Sequence, residues 1–286
     1  MKIRPIDGIS SAIQITTEIE GPHAVIFSGT HGDEPSGVHA VHKLLFDFIC
    51  QNKVLQRGKL TLVIANEEAL RQDVRYISNN LNRIFLDTLA DVSTYELRRA
   101  KELMPILKEA DYFLDLHSIR SETEPYAVIE EPNIAFAKKL GIKHIAYDWA
   151  KCCQGSAEGD TDNYAIKYGA TSVTFEAGSH YEYSSIFHAT NTALRFLEVL
   201  EMLPQNTPIN SEESFVYRLT KVKIKESEDF QYSKLYRNFQ RISEGEIIAF
   251  ENGNEIKADK NCFITLVNYP EKTRVGDDIF FLCELI

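Results

Sequence analysis

Short apolar runs alternate with amphipathic stretches through the first two-thirds of the chain. Ala24-Val-Ile-Phe-Ser28 is a β-rich run stopped by Gly29, and Gly37 to Cys50 repeats apolar residues at helical spacing. Leu60 to Ala65 reads as a second buried strand, and Thr94 to Ala110 as an amphipathic helix kinked at Pro105. Further strands are expected at Tyr112 to Leu116, His144 to Tyr147 and Thr171 to Phe175. Helical patterns cover Asn133 to Leu140, Asp162 to Tyr168 and Ser184 to Leu203. Strand and helix in alternation predict an α/β domain on a mainly parallel sheet flanked by helices.

The texture changes near Pro204-Gln-Asn-Thr-Pro208, where two prolines bracket a polar stretch and no long helical pattern follows. Phe215 to Ile224 alternates apolar and polar residues, and Glu244-Gly245 and Asn252-Gly253-Asn254 are turn signals. A last run, Ile279 to Leu282, closes the series. The chain is therefore expected to divide into an α/β domain, 1–205, and a smaller all-β domain, 206–286, that caps a cleft.

Composition narrows the function. With 44% hydrophobic and 26% charged residues in 286, a packed core is affordable and disorder is excluded. Lys and Arg total 31 against 42 Asp and Glu, a net charge of −11, which argues against nucleic acid and against an anionic membrane surface. Lys2 and Arg4 are followed by no apolar run, and runs such as Val25 to Phe27 are far too short to cross a bilayer. The five cysteines include no C-x-x-C pair and read as reduced thiols, so a cytoplasmic protein is expected.

Candidate chemistry sits where strands hand over to loops. In Gly29-Thr-His31-Gly-Asp-Glu34-Pro-Ser-Gly37, an imidazole and a carboxylate spaced i, i+3 can be aimed at one point by a tight turn. The same letters also suit a solvated glycine-rich loop. His117, in Asp115-Leu-His117-Ser118 at another strand end, supplies a third N/O donor, and a His₂Glu set leaves one position of a zinc ion open for water. Asp115 lies two residues earlier, on the same strand face, where it can orient an imidazole or serve an ordinary structural bond. Arg75 to Phe85 carries two arginines and three asparagines without clear periodicity, which suits either a carboxylate-binding loop or a solvated one. Glu176 ends an otherwise apolar strand, as a general base would, or as a strand-end Glu reaching solvent would.

In combination these pieces resemble the succinylglutamate desuccinylase/aspartoacylase family, a branch of the zinc carboxypeptidase-like fold. The matching motifs are G-x-H-G-x-E at Gly29 to Glu34, R-Y-I-x-x-x-L-N-R-I-F at Arg75 to Phe85, D-L-H-S at Asp115 to Ser118 and E-x-G at Glu176 to Gly178. The resemblance implies one Zn²⁺ per chain on His31, Glu34 and His117, with Glu176 as general base and acid. It implies that Arg75 polarises the scissile carbonyl, that Asn82 and Arg83 hold a substrate carboxylate, and that Arg120 lies near the site. The substrate it implies is a small anionic N-acyl amino acid, hydrolysed at its amide bond; a homo-oligomer is left open.

Two departures stand out. Family members commonly carry D-L-N-R where this chain has Asn80-Leu-Asn82-Arg83, and Gly159 to Tyr164 offers no arginine for a second substrate carboxylate. The second departure counts against N-acetylaspartate itself more than against deacylation. A carboxypeptidase or peptide amidase is the rival enzyme, and a non-catalytic metabolite-binding relative the rival of another class. Cys152-Cys153 reads as structural, and His180 and His188 as bystanders or residues at a pocket rim.

Overall fold

The computed structural model describes residues 1–153, 158–206 and 213–286. Most of the polar stretch at the expected domain boundary, 207–212, lies outside the described residues, as do Gln154 and Gly155 after the paired cysteines. An N-terminal hairpin, β1 (Lys2–Pro5) and β2 (Ala12–Thr16), precedes the α/β alternation. The alternation runs β3 (His23–Ser28), α1 (Pro35–Ile49), β4 (Lys59–Ile64), α2 (Glu67–Gln72) and α3 (Tyr95–Lys108). It continues through β5 (Tyr112–Ile119), β6 (Tyr126–Ile129), α4 (Ile134–Lys139), β7 (His144–Tyr147) and α5 (Trp149–Cys152). It ends in α6 (Thr161–Lys167), β8 (Thr171–Ser179) and α7 (Tyr183–Val199). Among the described residues seven strands follow: β9 (Phe215–Ile224), β10 (Gln231–Tyr232), β11 (Gln240–Ile242), β12 (Ile247–Glu251), β13 (Asn254–Lys257), β14 (Cys262–Thr265) and β15 (Asp278–Leu285).

Among the described residues, twelve strands share one sheet in the order β1-β2-β4-β3-β5-β8-β6-β7-β9-β15-β14-β11. Its centre, β4-β3-β5-β8, is parallel; β6 runs against β8, and β7 and β9 are parallel to β6. The sheet is covered on both faces, and β3 shows how. Ala24 and Ile26 pack on one side with α1 and α7 residues such as Leu44, Phe48 and Phe196, while Val25 and Phe27 pack on the other with Leu103 and Leu107 of α3. Burial on both faces is why this strand reads as an unbroken apolar run. The mainly parallel α/β sheet and the C-terminal antiparallel strands thus agree with the expected fold class.

Several boundaries differ from the sequence pattern. β5 and β8 run past Leu116 and Phe175 through polar residues, because their backbones stay paired, His117 with Glu176, while these two side chains line a pocket. α7 stops at Val199 rather than Leu203: Glu201 turns left-handed (φ 56°) and the Met202 N–H closes the end on the Leu197 carbonyl. Leu200, Met202 and Leu203 are buried beyond the helix, so their apolar character did not mark helical turns. Lastly, β9 pairs in parallel with β7, His144 opposite Phe215, so the C-terminal strands are hydrogen-bonded onto the α/β sheet.

Candidate metal centre and active site

Three parallel strands, β3, β5 and β8, deliver their C-terminal ends to one place, the usual location of sites in open α/β sheets. After β3 the chain turns at Gly29 (φ 60°) and packs Gly32 against α2. A Cβ on Gly32 would lie 2.1 Å from the Ala69 carbonyl carbon, so only glycine allows this approach. The Gly32 N–H donates to the Arg75 carbonyl (3.2 Å), tying the two polar loops together. His31 and Glu34 are thereby fixed side by side, both buried.

His117 comes from the end of β5. Its Nδ1 is 2.8 Å from Glu34 Oε2, and His31 Nδ1 is 2.8 Å from Glu34 Oε1. The donor atoms of His31, Glu34 and His117 all lie within 4.8 Å of one another. The Ser118 backbone N–H (3.1 Å) and Arg75 Nη1 (3.2 Å) also donate to Glu34. Burial acts to raise the Glu34 carboxyl, but the His31 and His117 imidazoles outweigh it and hold the group well below the usual carboxylate range.

Proton counting around His31 tests whether a metal fits here. Burial, aided by Arg75, lowers His31 to about 4, so at neutral pH the ring has one N–H. Yet both nitrogens face oxygen acceptors: Nδ1 faces Glu34, and Nε2 faces Asn80 Oδ1 at 3.1 Å. The Asn80 oxygen is identified by the Asn82 N–H that also donates to it (3.0 Å). One contact must therefore set lone pair against lone pair, which a cation among the three donors relieves. A buried set of two imidazoles and a carboxylate is an N/O donor set suited to zinc. Asn80, where the family motif has an acid, keeps the acceptor for His31 Nε2 without the charge.

Asp115 stands behind His117, with Oδ2 3.1 Å from Nε2 but out of line for a hydrogen bond. It is buried and held by the hydroxyls of Thr30 (3.0 Å) and Thr161 (2.7 Å). On the neighbouring strand Glu176 is the register partner of His117, so the two side chains share a sheet face. Glu176 lines the pocket, and its Oε2 is buried without a hydrogen-bond partner among the described residues. Burial pushes this carboxyl up to about 8, against the pull of His117 and Arg75.

Arg75, Asn82 and Arg83 line the same pocket. Asn82 Oδ1 accepts from the Thr161 N–H (2.9 Å) and hydroxyl (3.2 Å), which fixes its amide plane. Arg83 lies over the Trp149 ring (5.5 Å) with Nη2 3.6 Å from Asp278 of β15. His31, Glu34, Arg75, Asn82, Arg83, His117 and Glu176 therefore line one pocket, with Asp115 behind His117. Arg120 also lines it, bonded to Asp33 and to the Lys272 carbonyl (2.9 Å), and His180 stands at its rim with Nδ1 2.8 Å from Ser118 Oγ. His188 lies apart, on the Ala177 carbonyl (3.0 Å).

Trp149, Asp160, Asp162, Thr174, Leu266, Asn268 and Asp278 line the pocket without having been singled out. The one available signal was the density of acids in Gly159-Asp-Thr-Asp, where Asp160 caps α6 through the Asn163 N–H (2.7 Å). Leu266, Asn268 and Asp278 come from the β half, where no pattern linked them to the α/β loops.

A model of the succinylglutamate desuccinylase/aspartoacylase catalytic domain matches residues 20–202. Succinylglutamate desuccinylase of Pseudoalteromonas atlantica is 26% identical over 282 residues, covering 86% of this chain and 77% of that protein. Among solved structures, succinylglutamate desuccinylase from Vibrio cholerae matches with a TM-score of 0.76 at 21% identity, over 96% of this chain and 85% of that one. The product-bound ectoine utilization protein EutE from Ruegeria pomeroyi matches with a TM-score of 0.76 at 20% identity, over 96% and 88%. At such identities the structural matches speak for a shared fold.

Proposed function

The chain belongs to the succinylglutamate desuccinylase/aspartoacylase family, and from that premise we propose that it is a zinc-dependent hydrolase of N-acyl amino acids. The observation that carries this reading is the pairing of His117 with Glu176 across β5 and β8. It sets a carboxylate with a free oxygen beside a three-donor cluster suited to zinc. His31, Glu34 and His117 would hold one Zn²⁺ per chain. When bound, the ion supplies Lewis acidity, polarising a carbonyl and lowering the pKa of a nearby water to roughly 7.

The chain's own groups perform the rest. Glu176, raised to about 8 by burial, takes a proton from the attacking water and returns it to the leaving amine nitrogen. Arg75 donates to the oxygen that becomes negative as the tetrahedral carbon forms. Arg83 holds the amino-acid carboxylate with its guanidinium fork, and the Asn82 amide nitrogen, left over after its oxygen is tied to Thr161, donates beside it. The C-terminal strands from β9 onward cap the cleft, a role supported by Leu266, Asn268 and Asp278 on the pocket wall. The reading places the protein in the cytoplasm, supported by a cysteine set that includes no C-x-x-C pair.

Amine release from zinc-loaded protein, assayed on N-acetyl, N-succinyl and N-formyl amino acids and on short peptides, tests the proposal. Turnover of one or more N-acyl amino acids with no cleavage of peptides is expected. Peptide cleavage alone would replace the deacylase with a peptidase, and no turnover of either would leave a metabolite binder.

A further inference from the structure

The wall of the pocket continues past Glu176 onto β6. Tyr126, the first residue of that strand, is the antiparallel partner of Glu176, as His117 is its parallel partner on the other side. His117, Glu176 and Tyr126 therefore stand in one row on one face of the sheet. Two residues along the same pair, Val128 and Thr174 are opposite one another and both line the pocket, so this face is the pocket face.

Tyr126 is fully buried, and its hydroxyl has no hydrogen-bond partner among the described residues. Its ring is set edge-on against Phe239 (5.3 Å), which packs in turn on Tyr217 of β9 (4.6 Å), in a cluster with Leu219, Leu266 and Phe281. Phenylalanine would fill such apolar surroundings without stripping water from a hydroxyl, so the oxygen is a cost that packing does not explain. Burial first, then Glu176, Glu34 and Asp278, hold the phenol well above its ordinary value, so it keeps its proton for donation. Those three acids all line the pocket. Glu176 offers the complement, a buried carboxylate oxygen that also lacks a partner among the described residues. Directly opposed side chains start about 4.5–5.5 Å apart at Cβ and stand away from the sheet, so turning the Glu176 carboxylate brings acceptor to donor.

We propose that Tyr126 is a positioning residue for the general base: its hydroxyl donates to one oxygen of the Glu176 carboxylate during turnover and leaves the other oxygen to the attacking water. This rests on the deacylase reading and adds to it a part for the C-terminal half, where Phe239 holds the Tyr126 ring. A carboxylate pinned by one oxygen stays in the orientation that proton transfer needs, whereas a freely turning one spends only part of its time there.

The test is steady-state kinetics of wild type, Tyr126→Phe, Glu176→Gln and the double variant as zinc-loaded proteins, with an N-acyl amino acid that wild type accepts. Tyr126→Phe is expected to keep about one zinc per chain and a wild-type or higher Tm, to lower kcat at least tenfold, and to leave KM within twofold. Added to Glu176→Gln, it should change kcat less than twofold, because a residue acting through the carboxylate has nothing left to position. An unchanged kcat in Tyr126→Phe, or the same fold loss with and without the Glu176 carboxylate, would overturn the proposal while leaving a deacylase in place. So would unfolding or loss of zinc in Tyr126→Phe, which would mark the hydroxyl as structural. Wild type that hydrolyses no N-acyl amino acid would remove the deacylase reading and the proposal with it. Should Glu176→Gln be too slow to measure, the kcat and KM of Tyr126→Phe decide alone.

Discussion

Glu176 owes its chemistry to where β8 ends. A carboxylate in water is too weak a base to take a proton from water and too strong an acid to keep one for a leaving amine. Burial moves the Glu176 carboxyl to about 8, near the pH at which both transfers are feasible. Glu176→Gln retains the size of the side chain and the three-donor cluster but cannot carry the proton. It is expected to bind zinc as wild type does and to lose on the order of 10²- to 10⁴-fold in kcat, read by metal analysis beside steady-state assay. A variant with full zinc and unchanged kcat would show that the proton moves elsewhere. Such residues were legible in the sequence because His31, Glu34, His117 and Glu176 are ligand and base types standing where apolar strands end. Asp162 and Asp278 were not, since an acid in the first turn of a helix or at a strand start looks the same whether it faces solvent or a pocket. Only the folded chain shows Asp278 of β15 beside Arg83, far away in sequence.

At the scale of elements, parallel pairing does most to build the site. β3, β5 and β8 lie side by side, so residues remote in sequence become register neighbours: Phe27 beside Asp115, and His117 beside Glu176. These central strands were readable because burial on both faces leaves an apolar run. β1, β2 and β6 were not: β1 (Lys2–Pro5) is a mostly exposed edge, and β6 is four residues long. β3 also carries a pH-dependent contribution to stability. His23 at its start is buried, with Nδ1 2.9 Å from the Glu109 carbonyl and Nε2 2.9 Å from the Thr61 hydroxyl. Burial, with Lys59 adding to it, lowers its pKa from the ordinary 6.5 to about 4. Between those values the unfolded chain binds more protons than the folded one, so stability rises with pH. The contribution is complete above pH 6.5 and is lost as the pH falls toward 4, amounting to about 3 kcal/mol. Thermal unfolding of wild type should therefore drop more steeply between pH 7 and pH 4.5 than that of His23→Gln; parallel slopes would show that His23 titrates normally.

For the whole molecule, the change of texture after residue 204 marks a change of layout rather than a break in the sheet, since β9 hydrogen-bonds to β7. The helices stop there, and antiparallel strands carry the sheet on to the pocket wall that holds Asn268 and Asp278. That continuity was beyond sequence patterning, which sees strands but not their partners. Around the pocket, acids pair with Arg75, Arg83 and Arg120, and the proposed zinc adds the charge that a substrate carboxylate and a developing oxyanion require. The dependence of turnover on that ion is the most direct test. Chelator-stripped protein would be titrated with zinc while amine release from an accepted N-acyl amino acid is followed. Activity near zero without metal, rising linearly to a plateau at about one zinc per chain, is the result predicted. Equal activity with and without zinc in protein shown to be metal-free would contradict it.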